Sequence, residues 1–176
     1  MGIEIDVVNG AASWPLAEPL FAAVYPPDVV AALPWAHITF ARPELRVLIH
    51  DDGGDVVSHV GIVRRDVTWN GRPMRVGGIG GVATLEDRRG RGYASMALDA
   101  AIQTLGDEGS IDFAMLFCEP RLAPFYAARG WRPFDGDIQA EQPEQGRVPF
   151  TATAPHVFKL RQAPLKGTID LCGLPW

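Results

Sequence analysis

The stretch from Gly77 to Ile102 constrains the fold of this chain more than any other. Its first half, ending in Gly81-Val82-Ala83-Thr84-Leu85, predicts a strand, and Tyr93-Ala94-Ser95-Met96-Ala97-Leu98 opens a helix. Between them lies the turn Arg88-Arg89-Gly90-Arg91-Gly92. A helix start leaves several backbone N–H groups without intrahelical partners, all at the positive end of the helix dipole. Gly90 and Gly92 let a ligand approach that backbone closely, and Arg88, Arg89 and Arg91 add positive charge. These residues make an anion site with room for a diphosphate.

Two other phosphate-binding patterns fit less well. A Walker loop needs Gly-Lys-Ser/Thr before its helix, and no lysine precedes Lys159. A dinucleotide fingerprint places Gly-x-Gly-x-x-Gly directly between strand and helix. Here Gly77, Gly78, Gly80 and Gly81 fall inside the strand, where glycines mark a bulge or a crowded contact.

Periodicity and turn chemistry predict the remaining order. Ile3–Val8 is a strand, Ser13 caps a helix toward Tyr25 that Pro19 could break, and Asp28–Leu33 is a further helical turn. Leu45–Ile49 is a strand and Asp51-Asp52-Gly53-Gly54 a turn. Val56–Val67 and Met74–Thr84 form a long hairpin closed at Asn70-Gly71. Helix 93–105, strand 112–118, helix 122–128 and strand 131–134 follow. A Pro/Gln/Glu-rich loop is expected from Gly136 to Pro149, then strands at 156–160 and 168–171. The expectation is one α/β domain over residues 1–176.

Composition narrows the function classes. The chain is 47% apolar, so it is globular, and no apolar run approaches the ~20 residues of a membrane helix. Its first basic residue is Arg42, leaving no basic region for a secretory leader, and two cysteines make no disulfide framework. A cytoplasmic protein without a metal centre is expected. The net charge of −5 argues against nucleic acid. Acids gather near residues 1–41, Asp28 among them, and at 135–144, while arginines hold the middle. That layout suits an anionic cofactor centrally and a cationic acceptor near the acidic ends.

Arg89-Gly90-Arg91-Gly92-Tyr93-Ala94 resembles the Arg/Gln-x-x-Gly-x-Gly/Ala signature of the GNAT N-acyltransferase superfamily. Leu122-Ala123-Pro124-Phe125-Tyr126-Ala127-Ala128-Arg129-Gly130-Trp131 resembles its second landmark, a Tyr-bearing helix that ends in Gly-aromatic. The resemblance implies a mixed, mainly antiparallel sheet flanked by helices, with the fourth and fifth strands splayed around acetyl-CoA. It places Val82, Ala83 and Thr84 along pantetheine, and Arg88, Arg89, Gly90, Arg91, Gly92, Tyr93 and Ala94 around the pyrophosphate. It makes Tyr126 the general acid toward the departing thiolate; the alternative is an aromatic packed beside Phe125.

Glu119, at the end of its strand before Pro120, is a candidate base for the amine or a cap for the next helix. Cys118, with no histidine local in sequence to activate it, is expected to be a small buried residue.

His59, Arg64, Arg65, both landmarks and the run Asp170-Leu171-Cys172-Gly173-Leu174-Pro175-Trp176 together resemble aminoglycoside 2'-N-acetyltransferases. The resemblance implies that the Trp176 carboxylate helps bind the acceptor. The position of a proposed catalytic glutamate in those enzymes falls on Gly80 here. A second likeness, from Ala41-Arg42-Pro43-Glu44-Leu45-Arg46 through His59, Gly61, Arg64 and Arg65, is to the nodulation N-acyltransferase NodA family, whose strand acid is replaced by Gly78. His59 is a candidate substrate residue or a structural one, and Asp28 and Trp176 are the other candidates for the acceptor.

Acetyl transfer from acetyl-CoA to a primary amine of a small cationic acceptor, by direct attack, is the leading expectation. A longer acyl donor and a non-catalytic acyl-CoA-binding protein are the alternatives. A small-molecule amine is the expected partner, and a homodimer is compatible with the sequence; nucleic acid and membrane are not expected.

Overall fold

The structure is a computed structural model that describes residues 2–176. Ten strands form one mixed sheet among the described residues, in the order β6-β9-β5-β4-β3-β10-β7-β8, with β2 and then β1 branching from β3. The elements are β1 (Glu4–Asn9), α1 (Trp14–Val24), α2 (Pro27–Ala32), β2 (Leu45–His50), β3 (Val56–Trp69), β4 (Arg72–Thr84), α3 (Tyr93–Asp107), β5 (Phe113–Cys118), α4 (Ala123–Ala127), β6 (Arg132–Pro133), β7 (Asp135–Gln142), β8 (Gly146–Pro149), β9 (Ala154–Lys159) and β10 (Lys166–Asp170). No helix among the described residues is long and apolar enough to cross a membrane.

The β3–β4 hairpin is the spine. Asn70 (φ 49°) and Gly71 (φ 78°) take the left-handed conformations that a tight two-residue hairpin turn needs, as Asn-Gly predicts. One edge of β3 pairs along β4, while its other edge is shared, β2 taking the first half and β10 the end. β4 and β5 are parallel, but their pairing covers only Val76–Ile79 against Phe113–Leu116. Beyond Leu116, β5 keeps antiparallel pairing with β9 to Cys118, while β4 stays with β3 to Thr84. The two strands therefore part, as the resemblance implies.

Side chains alternate across this sheet into two cores. On one face α3 and α4 cover Val60, Ile62, Ile79, Ala114 and Leu116, with Ala97, Leu98, Ala101, Leu105, Tyr126 and Trp131. On the other, Val63, Val67, Met74, Val76, Phe113 and Met115 pack with Phe134, Ile138, Phe150 and Trp176. The glycines of β4 have separate partners. A Cβ on Gly77 would meet the Leu105 side chain on the α3 face, and one on Gly78 would lie 2.4 Å from the Trp176 indole on the opposite face. The indole Nε1–H donates to Met115 O at 2.9 Å, and the Arg65 guanidinium lies 5.5 Å over the ring.

Three expectations change. Residues 137–149 are not a loop: β7 pairs with β10 in parallel and turns back through β8, burying Ile138, Ala140 and Gln142 on one side. Ser13 does not cap α1; its hydroxyl donates instead to Asn9 O at 2.6 Å. α1 runs through Pro19, because burying Ala17 and Leu20 offsets the one hydrogen bond that proline removes.

The seat of Trp176 yields a prediction. In Gly78→Ala the added methyl overlaps the indole, and overpacking of this kind costs about 1–3 kcal/mol. Urea unfolding should show that loss, and tryptophan emission should shift to the red as the ring leaves its seat.

Candidate active site

The turn predicted to hold an anion lies between β4 and α3. Gly90 (φ 74°) and Gly92 (φ 83°) are left-handed, and Gly92 is the residue from which α3 starts. The first helical hydrogen bond is Met96 N–H to Gly92 O at 3.0 Å. The N–H groups of residues 90–95 have no acceptor among the described residues, so they form an unfilled set of donors at the helix start. Hollows of about 540 and 460 Å³ flank the turn, one reaching Asp51, Arg88, Arg91 and Tyr93, the other Ala23, Val24, Leu85 and Arg89.

The three arginines are not equivalent. Arg88 is tied to Asp51 at 3.2 Å and to Asp87 at 2.6 Å, so acidic neighbours already neutralise much of its charge. Arg89 reaches only Thr84 O, at 3.4 Å, and Arg91 has no ion pair among the described residues. Arg89 and Arg91 are the arginines left to meet an incoming anion.

Where β4 leaves β5, its register against β3 slips. His59 pairs with Ala83 and Gly61 with Gly80, so Gly81 and Val82 together oppose Val60. This is a β-bulge, with Gly81 at φ 56°. Leu85 N–H donates to Val57 O at 3.0 Å, so Leu85 faces β3 and alternation turns the Thr84 amide toward the cleft. Ser58 Oγ donates to Ala83 O at 3.1 Å and lies 2.8 Å from Thr84 Oγ1, pinning the end of β4.

Tyr126, at 5% exposure, lies on the α3 face, and burial raises the pKa of its hydroxyl. That hydroxyl has no hydrogen-bond partner among the described residues, which leaves its proton uncommitted. Arg129 fixes α4 against α3: its Nε–H donates to Ser95 Oγ and its Nη1–H to Phe125 O, both at 2.7 Å. Tyr25 caps α1 and is a residue that the sequence did not single out. Burial raises its pKa, and Arg89 and Glu119 are near enough for their charges to act on it.

The other candidates fall in different places. Glu119 does not cap the turn after β5; its Oε2 accepts from Arg121 at 2.8 and 3.1 Å. Asp28 is exposed in the first turn of α2 and has no side-chain partner among the described residues. Trp176 is buried by its indole, and its main-chain carbon lies 2.9 Å from where a Gly80 Cβ would stand. Cys118 does have a histidine neighbour after all: His156 Nδ1, from β9, lies 3.6 Å from its sulfur. Burial pushes the Cys118 thiol up to about 11, so it is no thiolate at neutral pH.

His59 is buried at 1% exposure, with both ring nitrogens engaged. Arg46 Nη1–H donates to Nε2 at 2.9 Å, and Nδ1 lies 2.6 Å from Gly81 O. Burial lowers its pKa from 6.5 to about 4, and the Arg46 charge pushes the same way against the Gly81 bond.

A glycine-lined helix start, a broken parallel pair and a bulge beside them meet at one place. The Acetyltransferase (GNAT) domain model matches residues 20–134, nearly two thirds of the chain. The chain belongs to the GNAT acetyltransferases. An aminoglycoside 2'-N-acetyltransferase from Mycolicibacterium fortuitum is 31% identical over 90 residues, which cover 51% of this chain and 45% of that protein. The chain thus spans about half the length of the curated relative it matches. Among solved structures, a GNAT family N-acetyltransferase from Escherichia coli in complex with CoA has a TM-score of 0.62 at 19% identity, covering 96% of this chain and 89% of that one. A GNAT family acetyltransferase from Brucella melitensis in complex with acetyl-CoA has a TM-score of 0.60 at 15% identity, covering 96% and 94%. Both share the GNAT fold.

The buried histidine sets a pH dependence. Neutral in the fold and titrating near 6.5 when unfolded, His59 contributes stability that is present above pH 6.5 and is lost as pH falls toward 4. The full effect is roughly 3 kcal/mol. Urea unfolding of wild type and His59→Asn should diverge in pH dependence across that window, and parallel curves would refute the buried neutral ring.

Proposed function

We propose that this chain is an N-acetyltransferase that takes its acetyl group from acetyl-CoA and passes it to a primary amine of a small acceptor, an amino sugar or aminoglycoside-like compound first in line. One observation carries the reading: β4 and β5 part after Ile79 and Leu116 beside a helix start whose amides have no acceptor among the described residues. The donors at 90–95 and the charges of Arg89 and Arg91 fit a diphosphate, and the cleft edge of Val82–Thr84 fits a pantetheine arm. Bound acetyl-CoA supplies a thioester, an acyl group already activated toward an amine.

The residues of this chain then have few tasks. The outward amide of Thr84 and its neighbours orient the acyl group, a positioning effect that needs no new charge. Tyr126, protonated at neutral pH as a phenol is and more firmly so because burial raises its pKa, holds a proton that the departing sulfur can take. Gly80 leaves no strand carboxylate, so Glu119 or water receives the amine proton. The 31% identity to an aminoglycoside 2'-N-acetyltransferase supports the acceptor class.

Release of CoA from acetyl-CoA, measured over a panel of amino sugars, aminoglycosides and simple amines, tests the proposal; no release with any of them would reject it. Two variants assign the parts. Gly92→Val puts a β-branched residue at φ 83° and should weaken CoA binding about tenfold or more, read by calorimetry on a folded protein. Tyr126→Phe should lower kcat about tenfold or more with CoA affinity nearly unchanged. Wild-type turnover in Tyr126→Phe would leave it a packing residue.

A further inference from the structure

A bulge leaves its extra residue without a cross-strand partner, so Gly81 O must be held by something other than the ladder. His59 holds it. The ring sits on β3 directly behind the bulge, where a Cβ on Gly81 would lie 3.2 Å from His59 Cε1 and 3.5 Å from Phe21 Cζ. Phe21, from α1, meets the imidazole edge-on at 4.8 Å between centroids.

The tautomer follows from the partners. An arginine can only donate, so Nε2 accepts from Arg46, and Nδ1 carries the proton that bonds Gly81 O. Arg46 is itself 7% exposed and fixed from two more sides: its Nε–H donates to Gly10 O at 2.9 Å, and its guanidinium lies 5.1 Å over the Trp14 ring. A line of contacts thus runs from the start of α1 through Arg46 and His59 to the point where β4 turns toward the cleft.

We propose that His59 is a positioning residue for acetyl transfer: its Nδ1–H bond, set by Arg46, fixes the Gly81 bulge and so the orientation of the Val82–Thr84 edge. The inference rests on the acetyltransferase reading but reaches a residue that does not touch either substrate. Gly81 is exposed, so water can replace a lost bond to its carbonyl. The bulge then relaxes, and the edge that orients the acyl group is no longer held; Arg46 loses its acceptor in any variant without Nε2, so that cost is common to the substitutions compared below. The pyrophosphate turn, one strand-length further on, keeps its own geometry.

Two substitutions separate this from packing. Leucine fills the space of the ring and donates nothing; asparagine carries an amide N–H where Nδ1 stands. His59→Leu should cut turnover about tenfold, the value of one hydrogen bond near 1.4 kcal/mol, while CoA affinity by calorimetry falls less, because the turn at 90–95 still meets the diphosphate. His59→Asn should recover most of that turnover. Amide exchange at Ala83, whose N–H faces β3, should quicken in His59→Leu and far less in His59→Asn. In the wild type, ¹⁵N spectra of the imidazole at neutral pH should show a protonated Nδ1 and a bare Nε2.

Equal losses in both variants, CoA affinity falling in step with turnover, or an Nε2-protonated ring would each overturn the proposal. Should wild type acetylate no amine, the functional reading falls. The exchange and ¹⁵N measurements then decide separately whether His59 holds the bulge.

Discussion

Everything at this site depends on a pairing that stops. β4 and β5 share four residue pairs and then part, because each has a stronger claim on its other edge: β4 on β3, and β5 on β9. Parallel pairing is slightly less stable per residue than antiparallel pairing, so the parallel seam is the one that yields. The gap leaves main-chain groups of β4 facing a cleft instead of a neighbouring strand. A bulge at that point re-aims them. The helix start at Gly92 follows the end of β4 by eight residues, so the cleft edge of β4 and the unfilled donors of α3 share one short segment of chain.

Charge around the cleft is divided by prior commitments. Arg88 belongs to Asp51 and Asp87, and Glu119 is bonded to Arg121, whereas Arg89 and Arg91 remain available. Arg46 and Arg65 are partly desolvated and answered by carbonyl oxygens and aromatic faces, with no carboxylate bonded to either among the described residues. Such cations brace the main chain, since a guanidinium can bond several carbonyls from one rigid plane. The family signature marks where an anion can be gripped. Which arginine is available is decided by contacts that the signature does not contain.

What the sequence made legible was local. Asn70-Gly71, Gly90 and Gly92 each state a backbone conformation by themselves, so the hairpin and the glycine turn before α3 could be read directly. The glycines of β4 announced crowding, but not that Leu105 and Trp176 were what crowded them. The β7–β8 hairpin was hidden because its strand, Asp135–Gln142, alternates with small and polar residues and buries a glutamine. Gln142 is satisfied by the main chain of Thr39, 103 residues away, which no local pattern can show. The same limit hid the neighbours that register alone brings together: His156 beside Cys118, Arg46 beside His59, and Asp51 beside Arg88.

The indole of Trp176 has a consequence in time as well as in space. Its hydrogen bond reaches back 61 residues to Met115, and Arg65, stacked on the same ring, bonds Leu174 across 109. Contacts this remote impose their loop-closure entropy before they return any stabilisation, which slows folding. A chain that has formed its hairpin, α3 and β5 still leaves the face of Gly78, Met115 and Phe117 uncovered until the indole docks.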